Sequence, residues 1–173
     1  MANRDFTKSA VQILIDQINE DNTSALTPAL VTFGAVAVDG GGVRNSNISA
    51  TAVGGSGYTG SVEFKYNRVD LASIPGSRST EFQVGDATNL SDLIDEINVA
   101  YQLALTADDF VDAAIPAFPG EEPHETQTIN LVAKATSLIF RGQLTLTIDA
   151  NDVPLSNVIT TTTLNGLTYI QPA

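Results

Sequence analysis

The sequence predicts an α+β fold built as a tandem duplication of one small unit, a helix followed by an antiparallel sheet. Three observations predict it. The stretch Leu14-Ile15-Asp16-Gln17-Ile18-Asn19 returns almost unchanged as Leu93-Ile94-Asp95-Glu96-Ile97-Asn98, 79 positions later. Each copy carries apolar residues at helical spacing. After each copy the apolar pattern switches to strict alternation, the period of a half-buried strand.

In the first unit Val11, Leu14, Ile15 and Ile18 fall at i, i+3, i+4 and i+7, one apolar stripe of a short amphipathic helix. Leu90, Leu93, Ile94 and Ile97 do the same in the second. Asp16 and Asp95 lie off the stripe and read as solvated helix-face carboxylates. Both helices are followed, at equal distance, by Leu-Thr: Leu26-Thr27 and Leu105-Thr106. Thr27 precedes Pro28, as an N-cap precedes proline at the first helical position. Thr106 precedes Ala107-Asp108-Asp109, a capping box with an acid at its third position. A second, shorter helical turn is therefore expected in each unit.

The strands come next. Ile48, Ala50 and Ala52 alternate with polar or small neighbours, as do Val62, Phe64 and Tyr66. Their counterparts are Ile129, Leu131, Ala133 and Ala135, then Leu144, Leu146 and Ile148. Gly60 to Tyr66 matches Gly142 to Ile148 at a spacing of 82, and a loop absorbs a difference of this size. A last strand near Glu81-Phe82-Gln83-Val84 has its counterpart near Leu167-Thr168-Tyr169-Ile170, after the hairpin signal Asn165-Gly166. The units are thus residues 1–88 and 89–173. A unit of this length has a marginal core, so the two should pack together, with an internal pseudo-twofold.

Charge and composition narrow the function. Twenty acidic residues against eight basic ones give a net charge of −12, which repels nucleic-acid backbones. The charge reads as a device for solubility. With no cysteine there are no disulfides, thiolate nucleophiles or Cys-ligated zinc. No apolar run approaches the roughly 20 residues of a membrane-spanning helix, and Met1 to Asp5 opens without the apolar core of a secretory signal.

Chemistry-bearing motifs are thin. Gly40-Gly41-Gly42 lacks the Lys-Ser/Thr of a phosphate loop, and Gly54-Gly55-Ser56-Gly57 lies between strands rather than opening a helix. The one histidine, His124, stands in the acidic loop Pro119 to Glu125 and reads as an exposed linker. Asp108 and Asp109 fit a first helical turn, where acids favour the positive end of the dipole. Asp149-Ala150-Asn151-Asp152 lacks the glycine and glutamate of a calcium-binding loop. The expectation is a protein that is not an enzyme, with no catalytic, cofactor-binding or metal-binding residues and no cofactor.

Binding or assembly remains. Sugar-binding surfaces stack glycans on exposed aromatic rings, but tryptophan is absent and only four tyrosines occur. Thr160-Thr161-Thr162-Thr163-Leu164-Asn165 suits a polar sheet edge that accepts another chain's strand. The helix ending in Ile-Asn, the loop to Leu-Thr, and the strand Val62-Glu63-Phe64-Lys65-Tyr66-Asn67-Arg68 together resemble small structural proteins of large tailed bacteriophages. That resemblance implies a virion component, a capsid decoration or a neck or tail accessory subunit, assembled in the host cytoplasm. It implies other virion proteins and copies of itself as partners, with no nucleic acid, membrane or small-molecule substrate. The alternative is a host-surface or glycan-binding adhesion module, which calls for exposed aromatics around Tyr58, Tyr101 or Tyr169. Segments expected at subunit contacts are the arm Met1 to Lys8, the loop Ala72 to Thr80 and the tail Ile170 to Ala173.

Overall fold

A computed structural model describes residues 4–42, 44–118 and 125–150. The fold is α+β, with two short helices and nine strands among the described residues. Helix α1 (Ala10–Asn22) starts at Ser9, whose hydroxyl accepts a hydrogen bond from the Gln12 N–H. It buries Leu14, Ile15 and Ile18 as its stripe requires, and also Ile13; Val11 is only half-buried. The second helix differs at its start. Leu90–Leu93 is a 3-10 turn and α2 proper is Ile94–Tyr101. The reason is the reciprocal cap between Asn89 and Asp92, which tightens the first turn, and Ile94 stays half-buried.

Both helices end in the same way. Thr23 and Gln102 take left-handed backbone, with φ of 51° and 57°. Asn19 then clamps the returning chain, its side chain donating to the Leu26 carbonyl (2.8 Å) and accepting from the Leu26 N–H (2.7 Å). Asn98 makes the same pair of bonds to Leu105, at 3.0 and 2.9 Å. An asparagine amide is one donor and acceptor face, so a single side chain satisfies a peptide that no helix or strand serves. Asn98→Ala should therefore cost about 2 kcal/mol and Asn19→Ala about as much, the order expected when partly buried backbone groups lose their partner. Urea midpoints unchanged by either substitution would contradict this.

Where a shorter helical turn is expected after each Leu-Thr, the structure has a single hydrogen-bonded turn. The Leu30 N–H donates to Thr27 (3.0 Å) and the Asp109 N–H to Thr106 (2.9 Å). Each turn feeds a strand at once, β1 (Val31–Phe33) in one case and β6 (Phe110–Val111) in the other. At 106 the acid's half of the expected capping box forms, the Thr106 N–H donating to the Asp109 carboxylate; the Thr106 hydroxyl donates to the same oxygen.

Strands β1, β2 (Ser46–Ala52) and β3 (Ser61–Tyr66) form an antiparallel sheet in that order. A second sheet has the order β5 (Glu81–Gln83), β9 (Gln143–Asp149), β7 (Thr126–Ala133), β6. The paths of the two sheets correspond. β1 pairs antiparallel with β2 and β2 with β3; β6 pairs antiparallel with β7 and β7 with β9. The turn into the third strand bonds Ala52 to Gly60 at 3.0 Å and Ala133 to Gly142 at 2.9 Å. Gly142, at φ +73°, is needed for a second reason: a β-carbon there would lie 2.5 Å from Asp70 Oδ1.

Residues after β3 cross over. β4 (Val69–Asp70) pairs in parallel with β8 (Phe140–Arg141), the 3-10 turn Leu71–Ser73 lies against β7 and β9, and β5 pairs in parallel with β9. Residues 69–84, which the sequence assigns to the first unit, thus pack on the strands of the second. One core results, holding Leu14, Ile18 and Ile48 together with Leu71, Phe82, Ile97, Leu131 and Leu146. An internal pseudo-twofold would require reciprocal contacts, and the described residues do not show them. Tyr66 donates to the Leu138 carbonyl (2.7 Å) and Arg68 to the Ser137 and Phe140 carbonyls, whereas the counterpart loop of the first half leaves Tyr58 53% exposed.

Candidate assembly surface

The residues singled out for chemistry serve the fold. Asp109, 4% exposed, accepts from Thr106 on one oxygen and from the Ser137 hydroxyl (2.8 Å) on the other, tying the turn before β6 to the turn after β7. Asp108 is exposed and does not share that arrangement. Asp149 closes the β5–β9 pair, accepting from the Gln83 amide at 3.0 Å. Asp16 is held on the helix surface by Lys8 and Gln12, both at 2.7 Å, and Asp95 is exposed. His124, Asn151 and Asp152 lie outside the described residues. No three acidic or histidine side chains converge as metal ligands among the described residues. No described helix is long and apolar enough to cross a membrane.

The glycine run has a partner that sequence reading missed. Gly40–Gly42 turns around the side chain of Asp39, which is 6% exposed. That carboxylate accepts from Lys65 Nζ (2.9 Å) and from the Gly41 and Arg44 N–H groups (both 3.1 Å). Backbone N–H groups that could cradle an anion hold an internal one, and the glycine spacing alone does not reveal which. The Lys65 bond, then the two N–H bonds, lower the Asp39 pKa to about 2. A carboxylate with a depressed folded pKa stabilises above its unfolded value, about 3.9, and loses that contribution as pH falls toward about 2. The stability gap between wild type and Asp39→Asn should therefore narrow from pH 4 to pH 2, followed by denaturation midpoints. A gap independent of pH would contradict the assignment.

Asp39 and Lys65 brace the outermost strand. β3 ends its sheet among the described residues, and along it Val62 is 58% exposed. The matching β9 residues Leu144, Leu146 and Ile148 are all buried, the last two completely. The difference has a physical cause: β5 and Leu71 cover β9, and no described strand covers β3. Beside β3 and α1 a groove of about 280 Å³ opens, lined by Leu14, Gln17 and Asp21 on the helix, Lys65, Tyr66 and Asn67 at the end of β3, and by Arg4, Phe6, Val69 and Ile139 among others. A second cleft of about 350 Å³ lies between the N-terminal segment and the end of α2, lined by Arg4, Asp5, Ile74, Arg78 and Tyr101 among others.

Two of the three segments expected at subunit contacts have partners within the chain among the described residues. Arg4 bonds Gln17 and Glu20, and Phe6 meets the Phe140 ring at 6.2 Å. In the 72–80 loop, Arg78 donates to the Tyr101 carbonyl and the Ser79 carbonyl accepts from the Tyr101 hydroxyl, so this loop docks on α2. The tail Ile170–Ala173 lies outside the described residues. The three described tyrosines do not gather into a platform: Tyr101 is buried, burial pushes the half-buried Tyr66 phenol up to about 12, and Tyr58 is exposed; Tyr169 is outside the described residues.

A family model, "Family of unknown function (DUF7941)", matches residues 4–173. The chain belongs to that family. No curated protein and no solved structure matches this DUF7941 member. The match spans both helices and all three sheets of the described residues.

Proposed function

We propose that this protein is a non-enzymatic structural subunit that works through contacts with copies of itself and with other proteins of a particle. The observation that carries this reading is the outer edge of β3, a strand that no described strand covers, with Val62 exposed and with Lys65 and Tyr66 lining an open groove. Natural proteins shield such edges, because unpaired N–H and C=O groups beside apolar side chains recruit another strand. The setting we propose is a bacteriophage virion, as a capsid decoration or a neck or tail accessory subunit. The resemblance of the helix, loop and β3 sequences supports it, and so does an acidic surface that suits contact with proteins rather than with packaged nucleic acid.

We also read the chain as a tandem duplication. The paired asparagine clamps, the matched glycines at 60 and 142 and the common strand path support this reading. An adhesion module would need clustered exposed aromatics, and Tyr58 is the one exposed tyrosine among the described residues.

Quantitative mass spectrometry of gradient-purified particles from the source tests the setting. Co-sedimentation in hundreds of copies indicates a shell-covering role, and about a dozen to a few dozen a ring at the neck or tail, since assemblies close by symmetry. Absence from the particles would discard the virion setting.

A further inference from the structure

We infer that the exposed face of α2 docks a basic segment of a different protein, one that places arginine or lysine on either side of an aromatic or aliphatic side chain. The inference rests on the proposed assembly role and specifies its contact with an unlike partner.

The first helix shows what such a face holds. Asp16, Gln17 and Glu20 share one face of α1, and the N-terminal segment lies along it. Lys8 Nζ donates to Asp16 at 2.7 Å, Arg4 Nε to Gln17 at 2.8 Å, and a terminal nitrogen of the Arg4 guanidinium to Glu20. Between the two cations Phe6 packs against the core, its ring 6.2 Å from that of Phe140. A cation, a ring and a second cation at alternate positions thus cover one acidic helix face.

Moving on 79 positions gives Asp95 for Asp16, Glu96 for Gln17 and Val99 for Glu20. Val99 stands four residues from Asp95 and three from Glu96, so the three share a face of α2. All three are exposed, and Val99, at 80%, is the most exposed large apolar residue described. The same step carries Arg4, Phe6 and Lys8 to Gln83, Gly85 and Ala87, with neither cation nor ring, and Gln83 bonds Asp149 instead. The second helix therefore keeps the acidic face, while the segment ahead of it has no groups to cover that face. Acids in a first turn favour the helix dipole, which accounts for Asp95 and Glu96. It does not account for a valine left in water beside them. An apolar side chain flanked by carboxylates complements one flanked by cations, and burying Val99 adds a contact that weak surface ion pairs do not supply.

The occupant of this face is a different protein because this chain has few cations to offer another copy. Arg4 and Lys8 hold α1, and Lys65 holds Asp39. Arg68, Arg78 and Lys134 hold backbone carbonyls, and Arg141 reaches Asp70. Seven of the eight basic side chains are thus bonded within their own chain. The net charge of −12 steers a basic partner toward the face from a distance.

A synthetic peptide, Gly-Arg-Ser-Phe-Ser-Lys-Ser, tests this, since it repeats the spacing of Arg4, Phe6 and Lys8 with serine between them. Titrated into the full, isotope-labelled chain, it should shift the amide NMR signals of residues 92–101. The signals of α1 should stay in place, because the tethered arm holds that helix at a higher effective concentration than the free peptide reaches. Asp95→Asn combined with Glu96→Gln should weaken binding about tenfold, the sum of two surface ion pairs. Val99→Ser, and separately alanine for phenylalanine in the peptide, should each weaken it about fivefold. These positions are exposed, and denaturation midpoints equal to wild type verify that the variants fold. The inference is overturned if millimolar peptide shifts no α2 signal, or shifts residues 13–20 alone. It is also overturned if neither Val99→Ser nor the alanine peptide changes the affinity, because the face would then attract any cation. The titration uses purified protein, so binding by a chain absent from particles discards the virion setting and keeps the site. A failed titration discards the site and leaves the edge at β3 as the assembly contact.

Discussion

Leu71→Ala should destabilise the protein by about 2–5 kcal/mol, the range for emptying a fully buried leucine site. Leu71 is 0% exposed although it sits in a three-residue 3-10 turn between two short strands, where a surface position would be expected. Its burial comes from elsewhere in the chain: the turn lies against β7 and β9. The neighbouring geometry holds it there. Asp70 caps the turn through the Ala72 N–H (3.2 Å), reaches Arg141 at 3.5 Å and sits against Gly142, where no side chain fits. Val99→Ala, at an 80% exposed position on α2, is the control and should change stability by no more than about 0.5 kcal/mol. A Leu71→Ala effect as small as the control would mean that the crossing segment adds little to the second sheet.

The second large effect concerns fragments. Residues 89–173 alone should fail to unfold cooperatively, because β9 then loses β5 and the core loses Leu71 and Phe82. A fragment starting at residue 69 restores both and should regain a cooperative transition. Residues 1–88 alone should be poorly stable for the complementary reason, since Leu71 and Phe82 would be left without the strands they cover. Denaturant titration of the three fragments decides this. A cooperative transition for 89–173 equal to that of 69–173 would contradict the dependence of the second sheet on the first half.

Local pattern carried much of this fold. The stripe at Leu14, Ile15 and Ile18 and the alternation of Leu144, Leu146 and Ile148 predict buried faces that the structure bears out, because period and burial are set by the same backbone geometry. The Asn19 and Asn98 clamps were visible as the repeated Ile-Asn but not as bonds, since their partners lie seven residues on in a loop. The crossing of residues 69–84 was not legible. A three-residue parallel strand such as β5 has no local signature that names its partner, and its choice of β9 over β3 is made by tertiary packing. Asp39 was missed for a similar reason: the glycines after it announce a turn, and only the fold brings Lys65 to the carboxylate. The edge at β3 was half-legible. Val62, Phe64 and Tyr66 read as one strand's buried face, and the exposure of Val62 depends on what lies beside the strand.

On the function proposed above, this chain works by joining copies of itself. Sedimentation velocity of the purified chain over a wide concentration range tests that most directly. Species at multiples of 18.2 kDa that grow with concentration are expected. A single 18.2 kDa species at every concentration would contradict the proposed self-assembly.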